Sequence, residues 1–96
     1  MTKIYLVPQP KFPFGELYVT AAADKTLATE DIRDALVRHA RGDWGDVRAE
    51  EREDNDSALA EGYRVFSVYH DRKGVTFWII TESDRSGTTV LLPDDY

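Results

Sequence analysis

Apolar and polar positions change period along the chain. From Tyr63 onward they fall into three short runs, Tyr63–His70, Val75–Glu82 and Thr88–Leu92. All three are rich in β-branched and aromatic residues, the composition of strands. Asp71-Arg72-Lys73-Gly74 and Ser83-Asp84-Arg85-Ser86-Gly87 separate them. Connections this short between three strands predict an antiparallel meander. The middle run is apolar on both sides over Phe77-Trp78-Ile79-Ile80, as befits a central strand. Upstream the period is helical. Ile32, Leu36 and Ala40 recur at i, i+4 and i+8 beside Ala35 and Val37, one apolar stripe. Thr29 is placed to cap this helix, with Glu30 and Asp31 in the first turn, Arg38, His39 and Arg41 in the last, and Gly42 beyond it. The pattern predicts a helix over about 30–41, with Asp34 and Arg38 paired on its exposed side. Residues 48–61 predict a weaker helix, interrupted at Asn55-Asp56-Ser57 and stopped by Gly62. Near the start, Lys3–Val7 and Leu17–Ala22 are short strand candidates. Pro8, Pro10 and Pro13 make residues 8–14 an extended arm. The sum is an α+β fold: N-terminal strands and an arm, two helices, then the meander, with the helices packed on one face.

The chain has 96 residues and a mass of 10.9 kDa, which predicts one domain over 1–96. Residues 1–14 form its strand and proline-rich arm, and 15–96 its compact body. There is no cysteine, which removes disulfides, thiolate metal sites and cysteine nucleophiles. Two histidines, His39 and His70, make a His-rich metal site unexpected, so neither metal nor cofactor is predicted. No apolar run reaches the ~18 residues of a membrane span, and the start lacks a signal pattern. A cytoplasmic location is expected. Lys3–Val7 or Thr88–Leu92 could be an open edge strand, compatible with a monomer or a homodimer.

The net charge is −6, unfavourable for general binding to nucleic acid or anionic membrane. The charge is also uneven. Asp46–Glu61 holds seven carboxylates and two arginines. This stretch is either a solvated helix face or a surface that meets a basic partner. Trp44, between Gly42 and Gly45, is either a lid on the core or an exposed anchor for that partner. The binding candidates are therefore Arg41, Asp43, Trp44, Asp46, Glu50, Glu51, Glu53 and Asp54. Asp43 and Asp46 lack the further oxygen ligands that a cation site needs. His39 could serve as a general acid or base, or simply favour a helix end while half exposed. His70, at a hairpin mouth, is expected to be exposed. In the hydroxyl-rich loop, Arg85 could clamp an anion with Ser86, Thr88 or Thr89. Alternatively, Asp84 or Ser86 caps a turn and Arg85 pairs with Asp43 or Asp84.

Arg38-His39-Ala40-Arg41-Gly42-Asp43-Trp44-Gly45-Asp46, Asn55-Asp56, the Ser67–Tyr69 strand, Trp78–Ser86 and Thr88–Tyr96 together resemble a family of small bacterial proteins. These are carried on plasmids, integrated elements and phages and are often called plasmid-related proteins. The resemblance covers about residues 36–96 and does not extend to the first 28. It implies a setting on mobile DNA but no activity. A second resemblance is architectural, to barnase, the colicin ribonucleases and RelE-type toxins, which also place helices before an antiparallel meander. That likeness implies a metal-independent ribonuclease with His39 as acid/base and Arg64, Ser67, Thr81 and Arg85 around it. Fold order alone does not carry an activity. The expected function is accordingly an acidic accessory protein of a mobile element that binds another protein, with inhibition of host defence as a candidate role. The ribonuclease is the alternative.

Overall fold

The structure, a computed structural model, describes residues 10–96. The elements in order are β1 (Glu16–Val19), α1 (Ala21–Thr26), α2 (Thr29–Ala40), α3 (Ala49–Glu61), β2 (Val65–His70), β3 (Thr76–Thr81), β4 (Gly87–Leu91) and a 3-10 turn (Pro93–Asp95). The fold is α+β, as the sequence predicts, with a mixed four-stranded sheet in the order β1-β4-β3-β2. The last three strands form the antiparallel meander. β1 joins it parallel to β4, with Glu16 opposite Gly87 and Val19 opposite Val90. The strand expected over Thr88–Leu92 is thus interior, not an edge. The candidate strand Lys3–Val7 lies outside the described residues.

Strand alternation divides the sheet into two faces. Val65, Ser67, Tyr69, Phe77, Ile79, Thr81, Thr88 and Val90 share one face and are buried. Ile32, Ala35 and Leu36 of α2 pack there with Ala23 of α1 and with Leu27. The stripe read at i, i+4, i+8 is therefore the core face of α2. Burying a side chain such as Ile32 or Leu36 contributes about 1.5–3 kcal/mol. Phe66, Trp78 and Tyr96 stack edge to face on the opposite side.

Local chemistry adjusts several boundaries. Thr29 is the first residue of α2, and the capping position is Ala28, without a side-chain bond. Asp34 lies beside Arg33, while Arg38 forms a two-pronged bond with Asp43. The strand expected over Leu17–Ala22 stops at Val19. Thr20 then accepts a hydrogen bond from Ala23 N and starts the third helix, α1. The Ala21–Ala23 run that weakens a strand is what favours that helix. Asn55 does not interrupt α3. Its side chain turns away from its own helix, takes a hydrogen bond from Phe66 N (3.1 Å) and donates to Phe66 O (2.7 Å). Next along the same edge, Val68 N donates to Trp44 O and Asp46 N donates to Val68 O. A side-chain amide and a loop thus occupy the outer edge of β2 as a surrogate strand. Gly45 makes this possible, because a Cβ there would lie 2.0 Å from Val68 O.

Candidate functional site

Three of the five ribonuclease candidates meet. His39 projects from the sheet-facing side of α2, with its Nδ1 2.6 Å from Ser67 Oγ and its Nε2 2.9 Å from Thr81 Oγ1. Thr81 Oγ1 is 2.8 Å from Thr88 Oγ1, which donates to Phe14 O at 2.8 Å. That last bond fixes the direction of the whole chain. A hydroxyl carries one proton, so Thr88 accepts from Thr81, and Thr81 accepts from Nε2–H. His39 is then the Nε2–H tautomer, and its bare Nδ1 accepts from Ser67. Every polar atom along the path is satisfied, the arrangement that lets a buried polar network persist.

The chain is sealed. His39, Ser67, Thr81 and Thr88 are each 0% exposed. The rings of Phe12, Phe14 and Trp44 surround the imidazole at 5.3, 5.6 and 5.6 Å. Burial, with a smaller push from Arg85, lowers the His39 pKa to about 3. At neutral pH this imidazole is uncharged and out of reach of solvent. The half-exposed helix-end histidine expected from the sequence is instead a core residue.

The other two candidates do not complete a site. Arg64 precedes β2 on the opposite side of the sheet, where its guanidinium bonds Tyr96 OH and lies over that ring. Arg85 and His39 both lie against the Phe12 ring, and the Arg85 charge acts on the imidazole. Its guanidinium, however, is committed to carbonyls: Tyr63 O at 2.7 Å, Glu82 O at 3.1 Å and Ala58 O at 3.1 Å. It closes the end of α3 and pairs with neither Asp43 nor Asp84. Asp84 accepts from Ser86 N and caps the turn. Of the hydroxyls considered as anion contacts, Thr88 belongs to the sealed chain.

The binding candidates divide as well. Trp44 is 2% exposed and donates from Nε1 to Asp56 (2.9 Å). It is the lid on the core, not a free anchor. Arg41 lies two residues past His39, about 200° around the helix, and is exposed. Asp43 is held by Arg38 and Gly45 N, which lower its pKa. Asp46 meets the exposed His70 at 3.0 Å. Glu51 serves the start of α3 through Arg48. Glu50, Glu53 and Asp54 are exposed, and among the described residues none of the three pairs with a cation. α3 buries only Asn55 and Ala58, so its carboxylates are the face it offers to solvent.

Asn55, Asp56, Phe12 and Phe14 escaped the sequence reading. Only the odd placement of Asn55-Asp56 within a helical run signalled the first two, and only the proline-flanked aromatics of the arm signalled the others. Among the described residues no cluster has the makings of a metal site, and no helix is long and apolar enough to cross a membrane. No protein-family model, curated protein or solved structure matches the chain.

Proposed function

We propose that the chain is a non-catalytic binding protein whose acidic helix α3 meets a basic surface on another protein. One contrast carries this reading. The one convergent set among the ribonuclease candidates, His39 with Ser67 and Thr81, is sealed and mutually satisfied, while Glu50, Glu53 and Asp54 stand in solvent among the described residues without a cation. A field of one sign on a single helix steers a partner of opposite charge. A partner that itself binds nucleic acid has the required chemistry. The resemblance of residues 36–96 to plasmid-related proteins supports a setting on mobile DNA, where such a partner is a component of host defence.

The test is capture from the native host with the tagged full chain after nuclease treatment. A stoichiometric protein should be recovered by wild type and lost with the triple variant Glu50→Lys, Glu53→Lys, Asp54→Lys, at unchanged thermal stability. Capture indifferent to the reversal would defeat the proposal. The ribonuclease reading draws on the convergence of His39, Ser67 and Thr81. It would replace the first if defined RNA ends appeared with wild type and vanished with His39→Ala.

A further inference from the structure

The segment Pro10–Phe14 crosses the helix-bearing face of the sheet without joining a helix or strand. Two of its residues are prolines and have no N–H to donate. Its backbone is tied by Lys11 N to Ala40 O at 2.8 Å and by Phe14 O to Thr88 Oγ1 at 2.8 Å. Yet it covers the most polar part of the interior. Phe12, 6% exposed, packs on Trp44 and Val65, and both of its aromatic rings face the His39 imidazole. A segment outside any helix or strand thus covers a buried titratable group.

The surroundings of that group offer a positive charge nothing. The arm contributes Phe12 and Phe14, β2 contributes Ser67, β3 Thr81, β4 Thr88, and the loop before α3 contributes Trp44. Among the described residues the charged group acting on the ring is Arg85, a cation. Asp56 of α3 is engaged by Trp44 Nε1. A proton on Nδ1 would reverse the Ser67 bond and set a second positive charge beside that of Arg85.

We propose that Pro10–Phe14 is an acid-released strap. It closes over neutral His39 and lifts when the ring takes a second proton, uncovering the apolar face of Trp44 and Val65. Lifting exposes the imidazole to water, so proton uptake and opening are linked. With an ordinary histidine value near 6.5 in the lifted form, the lifted fraction grows about tenfold per pH unit below that value.

Amide hydrogen exchange on the full chain, corrected for intrinsic rates, tests this at the Lys11 amide. The expected result has two parts. Lys11 exchanges faster than the amides of the β3–β4 ladder, which marks an opening of its own. Its protection also falls roughly fiftyfold between pH 6.5 and 4.5. Thr88→Val, which removes the tie to Phe14 O, should speed Lys11 exchange roughly tenfold at pH 7 and leave the pH slope intact. His39→Gln should flatten the slope. Two results would overturn the proposal. Exchange of Lys11 at the ladder rate would mean that the arm opens only when everything unfolds. Fast exchange that is flat with pH would mean that the arm lifts without exposing His39. Both can be read from wild type, whether or not the glutamine variant folds.

Discussion

Arg85 shows two opposed effects in one residue. Its φ of +60° is in the left-handed region that side chains other than glycine rarely adopt, at a cost of about 1–2 kcal/mol. Its guanidinium returns more by holding three carbonyls, two of them at or just past the end of α3. Each such bond from a charged donor is worth about 1.5–3 kcal/mol. Two of the three bonds are exposed to solvent and worth less than that, so Arg85→Ala, which loses the bonds and keeps the strain, should lower unfolding free energy by about 2–4 kcal/mol. Arg85→Gly loses the same bonds but sheds the strain, so it should be about 1 kcal/mol less harmful. Urea unfolding of the two variants checks the ordering. Equal losses would mean that the backbone there is relaxed. The ribonuclease reading makes Arg85 an anion clamp; here its function is to end a helix.

At the scale of elements, α3 is held less by its apolar surface than by one amide. Asn55 both donates to and accepts from Phe66, a pairing that needs one donor and one acceptor side by side and that no other side chain of this size supplies. Asn55→Ala should cost about 2–3 kcal/mol by orphaning two edge groups of β2. Asn55→Asp should be at least as damaging at pH 7 despite its matching shape, because a carboxylate repels Phe66 O. Chemical denaturation of the two variants decides between lost bonding and lost volume. An aspartate variant near wild type would show that only the bond from Phe66 N matters. The sequence made α2 and the three strands of the meander legible, since their periods are local and their turns carry polar and glycine signals. Helix α1 was missed, because Leu17–Ala22 reads as one strand although it holds a strand end and a helix start. The role of Asn55 was not legible, since a helix-breaking residue and an edge-capping one look alike until the strand beside it is known. The same holds for His39. Its spacing of seven from Ile32 and three from Leu36 puts it on the apolar stripe of α2, but its partners lie 28 and 42 residues downstream, and nothing within α2 shows that hydroxyls meet it there.

For the whole molecule, the buried imidazole couples folding to pH. The folded pKa of His39 is pushed down to about 3 by burial and then by Arg85, against about 6.5 in an unfolded chain. Below 6.5 the unfolded state therefore binds a proton that the folded state refuses. Stability is fully present above that value and is lost as pH falls toward 3, at about 1.4 kcal/mol per pH unit where the slope is full. Asp31, Asp43, Glu51 and Asp84 also have lowered values, through hydrogen bonds with Arg72, Arg38, Arg48 and Ser86 respectively. Their contributions act in the same direction but begin only as pH approaches the ordinary carboxylate range near 4. The interval from 6.5 to 5 thus isolates histidine. Urea unfolding across it should give a falling free energy for wild type and for His70→Gln, and a nearly flat one for His39→Gln. If the curve for His39→Gln falls as steeply as that of wild type, the sealed chain under the arm accepts its proton without cost and the acid response has another source.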